Sequence, residues 1–208
     1  MIYTKEDILK LDRVNKIKII NSLTGIKPAN LIGTINNKSQ TNLAVFSSVV
    51  HLGSDPALLG FISRPRTSEV GHTYNNIQEN GFYTINHIHP KFIKNAHYTS
   101  AKFDNKTSEF ERCNLREEYI KGFKAPFVKE SNIKIGLRFK EAIDIKLNGT
   151  TLVIGEIENI ILPDTAIVDN DVDLEATNSV GISGLNTYYS LTKIEKHPYA
   201  RVKETPKF

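Results

Sequence analysis

The chain has 208 residues, 39% of them hydrophobic and 24% charged, the balance of an ordinary globule and not of a disordered, collagen-like or coiled-coil chain. Its single cysteine, Cys113, excludes disulfide frameworks, thiolate zinc sites and iron–sulfur clusters, each of which needs several thiolates. The net charge, 27 − 23 = +4, is scattered singly among acids, so neither nucleic acid nor a membrane is an expected partner.

The first element is a helical segment at about residues 4–24. Thr4 can cap it, with Asp7 completing a capping box. Ile8, Leu9, Leu11 and Val14 form an apolar face, Ile17 to Leu23 extend it, and Gly25 is the stop. Leu31–Ile35 reads as a strand, and Asn36-Asn37-Lys38 as the turn after it. Leu43 to Leu52 is nearly continuous in apolar and small residues, which predicts one buried central strand. Asp55-Pro56 then breaks the chain before a strand at Ala57–Ile62.

A short helix that Thr73 can cap precedes a strand at Gly81–Asn86. Pro90–Glu118 reads as short helices and loops. Ile133–Ile145 alternates, with Ile133, Ile135, Leu137 and Phe139 on one face, and Asn148-Gly149 predicts a hairpin into Leu152–Leu162. The sum is a mainly β chain, an antiparallel barrel with peripheral helices, in a single domain spanning 1–208. No basic-then-apolar leader opens it and no apolar run approaches the ~20 residues that cross a bilayer, so the expected location is cytoplasmic.

Glycine-rich dinucleotide loops, Walker loops, His-Glu-x-x-His and Gly-x-Ser-x-Gly are missing. His87 and His89 share a face in an extended segment but have no evident third ligand, so no metal is assigned. Cys113 lacks a cysteine or histidine neighbour and reads as an ordinary thiol. Three hydroxyl- and amide-rich stretches remain. Asn42–Ser48 suits either close strand packing or a flat heterocycle laid against the main chain. Ser63-Arg64-Pro65-Arg66-Thr67-Ser68 with His72–Asn76 reads as a phosphate cradle at a helix start, or as solvated arginines. His97–Lys102 is a helix end and turn, with a histidine and a lysine among hydroxyls.

Taken in order, these stretches resemble the flavin reductase-like family. The matching segments are Asn42-Leu-Ala-Val-Phe-Ser-Ser48, His51–Pro56, Leu59–Pro65, His72–Ile77, Gly81–Asn86, His97–Ala101 and Ser108-Glu-Phe110. Ala125-Pro126, Gly155-Glu156, Gly184–Tyr188 and Tyr199–Arg201 complete the series, and Val45 stands where relatives often carry proline. The resemblance implies an FMN-binding split β-barrel of antiparallel, Greek-key type, assembled as a homodimer with FMN near the subunit interface. It implies that Asn42, Leu43, Ala44, Phe46, Ser47 and Ser48 meet the flavin, and that Arg64, Thr73 and Asn76 hold or brace the phosphate end. Thr99, Ser100 and Tyr188 would border the ring, with His97 as the residue active toward substrate. The implied activity is an NAD(P)H-dependent flavin reductase, in which NADH or NADPH reduces the flavin and a small-molecule acceptor takes the electrons. Two other readings are an FMN-binding electron carrier without a nicotinamide site, and a haem protein using His51, His72, His87 or His97 as axial ligand.

Overall fold

The computed structural model describes residues 1–65, 71–104 and 106–207; Arg66, Thr67 and Ser68 of the expected phosphate cradle lie outside them. The predicted N-terminal helix is two helices, α1 (Lys5–Lys10) and α2 (Arg13–Ser22). Thr4 and Asp7 form the expected capping box, with Thr4 N–H on the Asp7 carboxylate at 2.8 Å. The break comes from Asp12, which caps the second helix by accepting from Val14 and Asn15 N–H at 3.0 Å. Neither helix buries a residue fully: Ile8, Leu11 and Ile19 of the expected apolar face are half-buried, and Leu9, Val14 and Ile20 are exposed.

After β1 (Lys27–Pro28), β2 (Asn30–Ile35) pairs with β3 (Thr41–Phe46) across the Asn36–Lys38 turn. The stretch expected as one central strand is two. β3 ends at Phe46, and β4 (Val50–Ser54) begins after Ser47-Ser48-Val49. β5 (Ala57–Ser63) returns from β4 around Asp55-Pro56, which is cis. α3 (His72–Asn80) leads to β6 (Phe82–His87), and its cap is Gly71 at φ +112° with no side-chain bond; Thr73 lies inside the first turn instead. Then come α4 (Ile93–Tyr98), α5 (Glu109–Arg112), β7 (Glu117–Glu118), β8 (Phe127–Val128), β9 (Lys134–Ile145) and β10 (Thr150–Ile161). Gly149 takes φ +72° in the β9–β10 turn, which its missing Cβ allows. β11 (Ile167–Val168), β12 (Asp171–Val172), β13 (Val180–Ser183) and β14 (Thr187–Ser190) follow, the last two a hairpin.

The main sheet is antiparallel throughout, in the order β3-β2-β6-β9-β10-β5-β4. Its two edge strands are consecutive in sequence. Laid flat, the edges would stand about 29 Å apart at ~4.8 Å per strand spacing. The link from Phe46 to Val50 can reach about 15 Å at 3.8 Å per residue. The sheet must therefore curl until its edges approach, a barrel left open between β3 and β4. Ser48 fastens the closure: its Oγ accepts Ile62 N–H at 3.1 Å and donates to Ile62 C=O at 3.2 Å. The Phe46 and Phe61 rings meet edge-to-face at 5.0 Å beside it.

Alternation along the strands sorts the cores. Ile32, Phe61, Tyr83, Ile85, Leu137 and Val153 fill the barrel, joined by Tyr74 and Ile77 of α3. Leu31, Leu43, Phe92, Phe110, Val180 and Ile182 form an outer core where α4, α5 and β13 cover β2 and β3. The Ile135–Leu137–Phe139 face continues at Ala142, because a bulge at Lys140 shifts the register: Gly155 opposes Phe139 but Ile154 opposes Glu141. No helix among the described residues is long and apolar enough to cross a membrane.

Candidate functional site

A cavity of about 620 Å³ runs along the free side of β3, within the ~300–1,000 Å³ common for ligand sites. Ala44, Val45, Phe46, Ser47 and Ser48 all line it. Successive side chains of a strand point to opposite faces, and here Phe46 packs on the barrel core while Val45 packs on the outer core. Ala44, Val45 and Phe46, consecutive on β3, can border one cavity only if it lies against the strand's edge, where the main chain is presented. β3 is an edge strand, so that edge is available.

Glu109 takes one place on that edge. Its carboxylate accepts Leu43 N–H at 2.9 Å from α5, where a neighbouring strand would otherwise stand. Burial pushes the Glu109 carboxyl above its ordinary range, and the Leu43 bond offsets part of that rise. The Leu43 side chain is wholly in the outer core and does not line the cavity.

Arg64 and Pro65, leaving β5, and Gly71, His72 and Thr73, opening α3, form another part of the wall. Arg64 is exposed and makes no ion pair with a described residue, and Gly71 at the cap of α3 has no side chain to bond the N–H groups of His72 and Thr73. Such a guanidinium beside a helix start suits an anionic group. Asn42 donates to Thr73 Oγ1 at 3.1 Å, tying β3 to α3. Asn76 stands apart from this wall: it donates to Thr34 Oγ1 at 3.1 Å and borders an adjoining polar cavity of about 430 Å³.

His97, Thr99 and Ser100 also line the main cavity, with Lys102 and Phe103 beyond them. Thr99 and Ser100 donate their hydroxyls to Ala96 and His97 C=O, both at 2.7 Å, so toward the cavity they can only accept. Tyr188 sits behind His97, not on the wall, with its Oη 3.3 Å from His97 Nδ1 and the rings perpendicular. Burial raises the Tyr188 phenol, so Tyr188 keeps its proton at neutral pH and donates it to Nδ1 in the tautomer that carries the imidazole proton on Nε2. Asn21 of α2, Ile182, and Gly184–Asn186 of the β13–β14 turn also line the cavity, as do Ile62, Ser63 and Ala101.

The structure thus brings Asn42, Ala44, Phe46, Ser47, Ser48, Arg64, Thr73, His97, Thr99 and Ser100 to one cavity, and leaves Leu43, Asn76 and Tyr188 behind it. Sequence reasoning missed Glu109 and Asn21 as wall residues. Glu109 lay inside the quoted Ser108-Glu-Phe110 stretch, but an acid in a polar segment reads as surface; Asn21 carried no signal. Of the histidines weighed as axial ligands, His72 and His97 reach the cavity. His51 instead bonds Ser54, and His87 is half-buried against Ser179 Oγ at 3.0 Å, with its pKa pushed down to about 4 by desolvation. Among the described residues no cluster of three His, Cys, Asp or Glu side chains is placed to hold a metal ion. The Cys113 thiol is buried and pushed up by that burial, with the Glu109 charge adding to it, which leaves it unreactive.

The family model described as a flavin reductase-like domain matches residues 26–172. A solved candidate flavin reductase with a split barrel domain, from Shewanella frigidimarina NCIMB 400, is 45% identical. It superposes with a TM-score of 0.92 over 96% of this chain and 100% of its own. Nitrilotriacetate monooxygenase component B from Bacillus cereus superposes at 0.83 with 16% identity, over 95% and 98% of the two chains. Flavoredoxin of Desulfovibrio vulgaris (Miyazaki F) superposes at 0.73 with 21% identity, over 85% and 92%. The last two share the fold; all three superpose on the curled sheet described above.

Proposed function

Since the chain belongs to the flavin reductase-like family, with its split-barrel fold, and is a flavin-related oxidoreductase, we propose that the cavity along β3 holds FMN and that the protein is an NAD(P)H-dependent flavin reductase. The observation that carries this reading is the exposed main-chain edge of β3, set beside a cationic helix start. A flat heterocycle with paired donors and acceptors on its rim matches a strand edge, and a phosphorylated tail matches Arg64 with the N–H groups opening α3. Ala44 keeps bulk away from the main chain, and the Asn42–Thr73 bond holds the two parts of the site in register.

Bound FMN would supply the two-electron chemistry, between a reduced nicotinamide and a small-molecule acceptor. The chain's share is binding and orientation. Arg64 and the α3 amides compensate phosphate charge, Phe46 supplies an apolar wall, and Glu109 keeps the edge of β3 in place. His97, steadied by Tyr188, offers a donor where substrate would approach. The resemblance also implies a homodimer.

The test is an anaerobic titration of purified protein with FMN, followed by NADH and NADPH separately. A yellow complex bleached by either nicotinamide is the expected result. A yellow complex inert to both would make the protein a flavin carrier, and a Soret band formed with haem but no FMN binding would reject the flavin reading.

A further inference from the structure

The antiparallel pairing of β2 and β3 determines which main-chain groups of β3 face the cavity. Leu43 N–H points away from β2, because the Glu109 carboxylate takes it. In such a pair, residues that bond across the ladder alternate with residues whose N–H and C=O point outward. The register runs without a bulge from Thr41 to Phe46, so Val45 is outward like Leu43. The Val45 side chain packs against the outer core, while Val45 itself borders the cavity. What it offers the cavity is therefore main chain: an N–H that has no partner among the described residues, and the C=O that follows. With Leu43 N–H already engaged, Val45 N–H is the donor that the body of β3 leaves open to a ligand.

We propose that Val45 N–H donates a hydrogen bond to the flavin ring and stabilises its reduced state more than its oxidised state. The proposal rests on the flavin reading above. Reduction makes the ring more anionic, and a donor fixed by a strand needs no reorganisation to meet that charge. Hydrogen bonds to charged acceptors are roughly twice as strong as neutral ones. Proline at position 45 is the coded change that deletes this donor, and an outward N–H on an edge strand is a place where proline is tolerated. Alanine there removes the side chain and keeps the donor.

The test compares wild type, Val45→Pro and Val45→Ala for the dissociation constants of oxidised and dithionite-reduced FMN, measured anaerobically in the whole chain. Val45→Pro should lose about tenfold of the preference for reduced FMN, equivalent to a midpoint potential about 30 mV lower for a two-electron couple. Val45→Ala should keep the wild-type ratio. Equal ratios in all three overturn the proposal alone, whereas a wild type that binds no FMN overturns the flavin reading together with it. A second measurement does not depend on the proline variant folding. In ¹⁵N-valine-labelled wild type, the Val45 amide, identified by its loss in Val45→Ala, should move downfield with FMN and further on reduction. An amide resonance that FMN leaves in place would equally refute it.

Discussion

Glu109 is a carboxylate only 5% exposed, doing the work of a neighbouring strand for Leu43. Its raised pKa means the folded chain holds this proton more tightly than the unfolded chain. Its contribution to stability is therefore complete below the ordinary value of 4.5 and declines as pH rises through the higher folded value. Glu109→Gln keeps a carbonyl acceptor for Leu43 and does not titrate. Relative to wild type, it should gain stability between pH 4 and pH 7, as read from urea midpoints at both; a constant difference would show that Glu109 is not strained by burial. Glu109→Ala leaves a buried N–H unpaired and should cost about 1–3 kcal/mol. For His97, alanine should slow flavin reduction by nicotinamide about tenfold or more, with FMN affinity within about twofold, because a donor toward substrate acts on the reaction and not on cofactor binding. Stopped-flow reduction at the wild-type rate would remove His97 from the site. The hydroxyl and amide stretches were legible in the sequence because small polar residues after strands are unusual in number. Glu109 was not, since its burial is decided by a bond to a residue 66 positions away.

Among the elements, β2, β6, β9 and the Asn148-Gly149 hairpin show plainly in sequence, because each carries its own alternation or turn chemistry. The Leu43–Leu52 stretch does not, since unbroken apolarity looks the same in one buried strand and in two strands at opposite edges of a curled sheet. Ser48's two bonds to Ile62 decide the matter, and these exist only once the barrel curls. The same curling sets a contact between non-adjacent strands: the Tyr83 ring on β6 reaches across the interior to Gly155 on β10, where a Cβ would collide with the phenol. The phenol oxygen is buried and has no hydrogen-bond partner among the described residues, and its pKa is pushed far up by burial. Tyr83→Phe should thus be neutral or stabilising by about 1 kcal/mol, since it removes an unpaired polar group. Gly155→Ala should cost about 1–3 kcal/mol through overpacking, and Tyr83→Phe in the same chain should recover part of that loss. Chemical denaturation of the four proteins checks this; strictly additive effects would mean that the two residues do not meet.

At the scale of the whole molecule, the N-terminal helices present a problem of burial. α1 and α2 are six and ten residues long and bury no residue fully, while Leu9, Val14 and Ile20 are 65%, 59% and 44% exposed. Helices this short are marginal in water unless something packs on them. A second copy of the chain, as the family resemblance implies, is the simplest cover. α2 also reaches the cavity through Asn21, whose C=O is held by the Lys27 ammonium at 2.8 Å. A partner seated on α2 would then stand at the cavity wall, and assembly and flavin binding would be linked. Sedimentation should show a dimer. Val14→Asp combined with Ile20→Asp, which places two charges where burial is required, should yield monomers that bind FMN at least tenfold more weakly. A wild type that sediments as a monomer would reject the cover itself. Dissociated variants that keep full FMN affinity would reject the linkage, leaving each cavity complete within its own chain.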